Sequence, residues 1–264
     1  MGVLNVTPDS FSDGGMWLDP AAAIEHARRM VDEGAGIIDV GGESTRPGAD
    51  PVDEDEELRR VLPVIETIAR DLEVPISIDT RKPEVARSAI EVGAEIINDT
   101  TGEAGTGEMA DVVVSTRAAV ILMHSRGTPA TMRSMNQYGD VVADVRDFLS
   151  GWAASLETAG VERGAIALDP GFGFAKSPEQ NLELLVRLDE IVALGYPVLA
   201  GTSRKSFIGA VLDLPEDDRV EGTAATVVWA LMRGARIVRV HDVREMTRVV
   251  RMTAAIMSAS KVDA

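Results

Sequence analysis

Eight short apolar runs recur along the chain, and each ends in polar residues with glycine or proline close by. In chain order the runs are GVLNV, GIIDV, PISID, EIIND, AVILM, AIALD, PVLAG and RIVRV. Apolar runs of this length, rich in β-branched residues, are typical of strands that are buried on both faces of a parallel sheet. The sequence therefore predicts eight parallel strands.

Helical patterns occupy the intervals between the runs. The first has Asp19 as a helix N-cap, Pro20 at the first helical position and Gly34 near its C-terminal end. A short helix is expected within residues 106–116. The other helical segments are DEDEELRRVLPVIETIARDL, KPEVARSAIEVGA, YGDVVADVRDFLSGWAASLETAG, SPEQNLELLVRLDEIVALG, RVEGTAATVVWALMRGA and VREMTRVVRMTAAIMSAS.

Strands that alternate with helices form right-handed βαβ units. Eight such units in a chain of 264 residues predict an α/β protein with a (β/α)8 TIM barrel. A doubly wound open sheet is the alternative. No change of composition or linker divides the sequence, so we expect a single domain over residues 1–264.

The composition excludes several kinds of function. The chain has no cysteine, which excludes disulfides and thiolate-bound zinc. Its net charge of −17 disfavours binding to the phosphate backbone of nucleic acids. No apolar run approaches the length of a membrane span, and the first residues lack the basic segment of a signal peptide. We therefore expect a cytoplasmic protein that binds neither nucleic acid nor membrane.

The loops after the predicted strands are much more basic than the chain as a whole. In a (β/α)8 barrel these loops form the mouth that holds the active site. Basic side chains on one rim of an acidic protein predict an anion site, although rim loops also carry charge simply because they are exposed. The basic residues are Arg46, Arg81, Lys82, Arg126, Lys176, Arg204, Lys205, Arg239 and His241.

Two of these residues lie at the end of the last apolar run, Arg239 within it and His241 directly after it, and they suit a phosphate group. Arg239 lies among apolar residues, where its charge needs a partner, and His241 opens the next helix. Asn5 ends the first run with an amide oxygen that suits a hard cation, which favours Mg²⁺ shared with a diphosphate. His124, after the fifth run, is consistent either with a structural histidine or with a ligand contact.

Asp79, Asn98 and Asp169 each end a different predicted strand. Together they would form an acceptor-rich pocket floor for a ligand with adjacent N–H donors, such as the guanidine-like edge of a heterocycle. Lys205 would be a donor nearby. The alternative is that the three side chains cap the helices that follow them.

Phenylalanine is rare, and most of it lies in turns rather than in core patterns. Phe172 and Phe174 stand in DPGFGFAK, Phe11 lies in a loop over residues 7–15, and Phe207 lies in SRKSFIG. The loop over residues 7–15 and the TRPG turn at residues 45–48 are polar and rich in turn residues. Such loops over a barrel mouth act as lids, or they are plain surface loops.

The quoted stretches together resemble one family, the dihydropteroate synthases. The motifs are GVLNVTPDSFSDGG, DVGGESTRPG, SIDTRKPEVA, IIND, MHSRGTPATM, LDPGFGFAK, GTSRKSFIG and VRVHDV, and they span residues 2–243 in the family's order. The resemblance implies condensation of para-aminobenzoate with 6-hydroxymethyl-7,8-dihydropterin diphosphate, which releases pyrophosphate and forms 7,8-dihydropteroate. It also implies a homodimer and Mg²⁺, and it places the chain in a family that is a sulfonamide target.

The resemblance assigns roles to individual residues. Pterin contacts are implied for Asp79, Asn98, Asp169 and Lys205, and diphosphate contacts for Asn5, Arg46, Arg239 and His241. Asn5 is the implied Mg²⁺ ligand. A slot for para-aminobenzoate is implied for Phe11, Thr45, Pro47, Phe174 and Ser203. Catalytic roles are implied for Asp13, Arg46, Lys205, Arg239 and His241. Phe172 and Phe207 are expected to pack beneath the loops.

Two related functions are alternatives. A folate-dependent methyltransferase would share the pterin-binding barrel but needs no grip on a diphosphate, so Arg239, His241 and the two long loops disfavour it. A non-catalytic pterin-binding relative would be expected to lack one of the functional residues, such as Arg46 or Lys205, and none is missing. The helices GTAATVVWALMRGA and VVRMTAAIMSAS are apolar beyond one narrow stripe, which supports the expected homodimer.

Overall fold

The structure is a computed structural model that describes residues 1–7, 20–44, 51–101, 107–128 and 131–259. Within these ranges short strands alternate with helices. The strands are β1 (Gly2–Asn5), β2 (Ile38–Gly41), β3 (Ile76–Thr80), β4 (Ile96–Asp99), β5 (Ala119–Met123), β6 (Ile166–Asp169), β7 (Leu199–Ala200) and β8 (Ile237–Val238). The helices are α1 (Pro20–Asp32), α2 (Glu54–Asp71), α3 (Pro83–Glu91), α4 (Gly107–Thr116), α5 (Val141–Thr158), α6 (Pro178–Val186), α7 (Leu188–Val192), α8 (Ser206–Leu212), α9 (Val220–Met232) and α10 (Val243–Ala259).

The strands form a closed ring. Strands β1 to β6 pair in parallel with their neighbours in sequence order, and β7 pairs in parallel with β8. A parallel bridge between Leu168 and Val198 connects β6 to the chain before β7, and another between Gly2 and Val240 connects β1 to the chain after β8. The fold is therefore the predicted (β/α)8 barrel, and the open-sheet alternative is wrong.

The barrel interior is apolar toward the amino ends of the strands and contains polar groups toward their carboxyl ends. Ile121, Ala167 and Leu199 form a small buried cluster inside the ring. Side chains on one face of a strand repeat every second residue, so the next inward positions after Ile121 and Ala167 are Met123 and Asp169. These two line a cavity. On β6 the inward residue thus changes from Ala167 to Asp169 toward the carboxyl end, where the cavity lies.

The helices cover the outer faces of the strands. Outward side chains such as Ile38 and Ile78 are fully buried in one large cluster with Val61 and Ile65 of α2. Asp53 caps this helix, because its carboxylate accepts a hydrogen bond of 2.7 Å from the Glu56 N–H. In the part of the chain that the structure describes, no helix has the length and apolar character needed to cross a membrane.

One predicted helical segment differs in the structure. The segment SPEQNLELLVRLDEIVALG is two helices rather than one, because Arg187 leaves helical geometry between α6 and α7. Its guanidinium bonds to Asp140, the N-cap of α5, and to Glu190. The periodicity of a single segment cannot predict such contacts, because they join different elements of the fold. The predicted short helix is confirmed as α4, and Lys205 is the N-cap residue of α8.

Candidate active site

A cavity opens at the carboxyl ends of the strands, above the apolar cluster of the barrel interior. Its empty space is about 320 Å³, including the part that is open to solvent. The lining residues are Asp79, Asn98, Thr100, Met123, Asp169, Phe172, Phe174, Gly201, Lys205 and Arg239. All residues predicted to contact a pterin therefore meet in one place, together with Phe174 and Arg239.

The acceptor-rich floor is present. Asp79 and Asn98 are directly paired across β3 and β4, and both are buried, as is Asp169 at the end of β6. The capping alternative is wrong for the two carboxylates. Helix α3 has Lys82 at its N-cap position and helix α6 is capped by Ser177.

Burial controls the protonation of both floor carboxylates. Burial raises the pKa of Asp169, and the Gly171 N–H, which donates to Oδ1 at 2.7 Å, opposes this. Burial also raises the pKa of Asp79, which Arg239 opposes and Asp39 reinforces. Asp79 and Asp169 therefore bind a proton more readily than exposed carboxylates do.

Arg239 has the partners that its position requires. Its Nε donates to Asp39 Oδ2 at 2.5 Å, and its Nη2 donates to Asp79 Oδ2 at 2.6 Å. Burial lowers the pKa of Arg239, but the two carboxylates outweigh this and raise it above the usual value. The sequence predicts Asp39 among the polar residues at the barrel mouth but indicates no partner or function for it. The only signal was an acid inside GIIDV, which needs a buried cation.

Lys205 and Phe174 face each other in the cavity. The Lys205 ammonium lies 4.1 Å from the centroid of the Phe174 ring, which is a cation–π contact. Burial, and next the charge of Arg239, lower the pKa of Lys205 to about 8, while Asp169 and Asp79 oppose the shift. Phe172 is buried beneath the loop, as expected, and so is Phe207.

Lys176 fastens the turn that carries Phe174. Its ammonium donates to the carbonyl oxygens of Gly171 at 2.9 Å and Phe174 at 3.1 Å. It also contacts Nδ1 of His124 at 3.0 Å. Burial, followed by the charge of Lys176, lowers the pKa of His124 to about 2. His124 is thus a buried structural histidine, the first of the two interpretations that the sequence allows.

His241 lies beside Ser203. Its Nδ1 is 3.0 Å from the Ser203 hydroxyl, which also accepts the His241 backbone N–H at 3.2 Å. Burial lowers the pKa of His241 to about 3, and the charges of Arg239 and Arg204 add to the shift. The imidazole is therefore neutral in the free protein at neutral pH.

Several predicted site residues lie outside the described ranges. They are Phe11, Asp13, Thr45, Arg46 and Pro47. Asn5 ends β1 and is half-buried beside Gly41 of β2. It is not among the residues that line the cavity. Within the described ranges, no cluster of three or more histidine, aspartate or glutamate residues could hold a metal ion.

The base of the second loop is held by a buried ionic cluster. Lys82 bonds to Glu43, which precedes that loop, and to the fully buried Glu57 of α2. Thr80 donates to Glu57 at 2.7 Å, and Arg60 donates to the Gly42 carbonyl at 2.9 Å. This cluster ties the end of β2 to the end of β3 at the start of the segment that holds Thr45, Arg46 and Pro47.

A closed (β/α)8 barrel with a polar cavity at the carboxyl ends of its strands is typical of enzymes that act on small molecules. Similarity to known proteins shows which family of such enzymes the chain belongs to. Residues 1–241 match the pterin binding enzyme family. The dihydropteroate synthase of Synechocystis sp. is 48% identical over 257 residues, which covers 97% of this chain and 89% of that protein. The chain belongs to this family of transferases, the dihydropteroate synthases.

Solved structures agree with this assignment. The Yersinia pestis dihydropteroate synthase with a sulfonamide drug complex has a TM-score of 0.92 and 42% identity, and the match covers 97% of this chain and 93% of that chain. The Xanthomonas albilineans dihydropteroate synthase in complex with 7,8-dihydropteroate has a TM-score of 0.87 and 41% identity, with coverage of 97% and 92%. The fold and the family predicted from the sequence are therefore confirmed.

Proposed function

We propose that this chain joins para-aminobenzoate to 6-hydroxymethyl-7,8-dihydropterin diphosphate at the described cavity, forming 7,8-dihydropteroate and pyrophosphate. The convergence of Asp79, Asn98 and Asp169 with Lys205 carries the proposal. Acceptors on one side and a cationic donor on the other match a pterin, which has an N–H-rich edge and a carbonyl. We expect the reaction to occur in the cytoplasm, with no nucleic-acid or membrane partner.

The diphosphate would lie where Arg239 and His241 follow β8. The hydrogen bonds of Arg239 use Nε and Nη2, and among the described residues Nη1 has no partner, so its N–H groups are available to an anion. If Nδ1 of the neutral His241 accepts from Ser203, its Nε2–H would donate to a phosphate oxygen. Arg46 would add a second guanidinium from the loop after β2.

Asn5 is the proposed protein ligand for Mg²⁺. Its side chain offers an amide oxygen at the end of β1, and hard oxygen donors suit this ion. Mg²⁺ bound together with the diphosphate would stabilise the negative charge that develops on the leaving group. Lys205, Arg239 and His241 would act on the same reaction as fixed polar groups of the protein.

Departure of the diphosphate would leave a cationic pterin methylene group, which the amine of para-aminobenzoate would attack. Asp13 would face this cation from the first loop. Phe174 would form one wall of the benzoate slot, and its ring already lies in the cavity. Phe11, Thr45 and Pro47 would complete the slot from the loops, and Ser203 would bind the carboxylate through its backbone N–H, because its hydroxyl hydrogen is used on His241.

Pyrophosphate release from the dihydropterin diphosphate tests the proposed reaction. We expect sustained release that requires para-aminobenzoate, is accompanied by dihydropteroate in equal amount, and stops when EDTA removes Mg²⁺. The result follows because the weakly nucleophilic amine needs the electrophile formed in a closed site. Binding of the pterin without any turnover would contradict the proposal and favour a non-catalytic relative.

We also propose that the chain forms a homodimer through an exposed apolar patch on α9 and α10. The patch consists of Trp229, Met232, Met252 and Ile256, which are 42%, 64%, 62% and 59% exposed. The two helices pack against each other, and in the proposed dimer these side chains form one surface. Apolar patches that remain exposed on a single chain are typical of interfaces.

Replacing Met232 with glutamate is therefore expected to convert the dimer to a monomer. A charge placed at the centre of an apolar interface loses its hydration when the two surfaces meet. Sedimentation velocity at a fixed protein concentration would report the change. Met135→Glu is the matched control, because Met135 is 42% exposed but lies outside the patch. Two variants with the same association state would contradict the proposed interface.

A further inference from the structure

We propose that Asp39 is a positioning residue that fixes the orientation of the Asn98 side-chain amide toward the pterin. Asp39 lies in the middle of β2, is completely buried and does not line the cavity. It therefore cannot contact a ligand there directly. The inference rests on the proposed pterin pocket. It concerns a residue that affects ligand binding through Asn98, which lines that pocket.

The hydrogen bonds of Asp39 define its effect. Its Oδ2 accepts from Asn98 Nδ2 at 3.1 Å and from Arg239 Nε at 2.5 Å. An ionised carboxylate can only accept hydrogen bonds. Asn98 must therefore turn its amide nitrogen toward Asp39, because the opposite orientation would place its carbonyl oxygen against a carboxylate.

The orientation leaves the Asn98 carbonyl for the ligand. Asn98 Oδ1 is buried and has no hydrogen-bond partner among the described residues, although Asn98 lines the cavity. A buried acceptor without a partner is costly, and an N–H donor of a bound pterin would satisfy it. Asp39 thus ensures that Asn98 presents an acceptor, as Asp79 and Asp169 do.

Arg239 allows a carboxylate to remain in this position. A buried charge without a partner is strongly unfavourable, and Arg239 compensates both Asp39 and the neighbouring Asp79. Ser77 pairs directly with Asp39 across β2 and β3 and is equally buried. Within the described ranges its hydroxyl has no hydrogen bond. Ser77 therefore serves as a control for Asp39, since it is equally buried at the paired position but does not bond to Asn98.

A double-mutant cycle between Asp39→Asn and Asn98→Ala tests the proposal through pterin affinity, measured by calorimetry with 6-hydroxymethylpterin. In the wild-type background, Asp39→Asn is expected to weaken binding by about tenfold, because a neutral amide no longer dictates the orientation of Asn98. In the Asn98→Ala background the same change is expected to have an effect of at most about twofold. The cycle of Ser77→Ala with Asn98→Ala is expected to be additive.

The outcomes separate this proposal from the proposed function. Additive effects of Asp39→Asn and Asn98→Ala would overturn the positioning role, while a wild-type chain that binds no pterin would overturn the function itself. If Asp39→Asn does not fold, Asn98→Asp gives the answer. A carboxylate there still accepts hydrogen bonds from a ligand but faces Asp39, so at about pH 8 we expect about tenfold weaker pterin binding. Unchanged or tighter binding would overturn the role.

Discussion

Replacing Lys205 with methionine is expected to lower kcat/KM for pteroate formation by about a thousandfold, comparable to the loss of a fixed donor from an oxyanion site. The Lys205 ammonium lies against the Phe174 ring, and its charge interacts with Asp169 and Asp79 of the acceptor floor. In the proposed function it is the donor to the carbonyl side of the pterin. Methionine keeps the length and apolar stem of the side chain, so steady-state kinetics with both substrates would report the loss of charge.

Lys205→Arg is the control that keeps the charge. The pKa of Lys205 is about 8 because of burial and the nearby charge of Arg239, so the ammonium loses its proton as the pH rises through that value. The kcat/KM of the wild type is therefore expected to decline above about pH 8. The arginine variant is expected to lack this decline at lower overall activity. A wild-type profile that stays level well above that pH would show that Lys205 acts without its charge.

The barrel could be predicted from the sequence because its evidence is local and repeated. Each apolar run such as GIIDV or AIALD is followed by turn residues and a helical pattern, and right-handed βαβ units leave few ways to arrange eight of them. The sequence predicts that the sheet closes into a ring only because it contains eight βα units. The bridges at Val198 and Val240 provide this closure in the structure.

The floor of the cavity could be predicted for the same reason, since Asp79, Asn98 and Asp169 each end a run. The contacts beneath that floor could not. Asp39 and Arg239 are 200 positions apart in the chain, and periodicity contains no information about such pairs. The interactions of Lys176 with His124 and of Arg187 with Asp140 also depend on distant elements.

Replacing Gly171 with alanine is expected to destabilise the protein by about 3 kcal/mol or more, measured by urea unfolding. Gly171 has a φ of +68°, and a Cβ atom there would overlap the backbone oxygen of His124 at the end of β5. A backbone atom held by a strand cannot move aside as a flexible side chain can. The same residue donates to Asp169 and accepts from Lys176, so its displacement is also expected to weaken pterin binding.

Gly107→Ala separates the cost of the backbone conformation from the cost of the overlap. Gly107 has nearly the same φ, +70°, but a Cβ atom there would meet nothing within 4 Å among the residues that the structure describes. Its replacement is therefore expected to cost only the conformational part, about 1 kcal/mol. The difference between the two variants measures how rigidly the turn over residues 171–176 is held against β5. Equal losses would mean that the turn yields to the added methyl group, and the walls of the proposed benzoate slot would then be set by the ligand rather than by the fold.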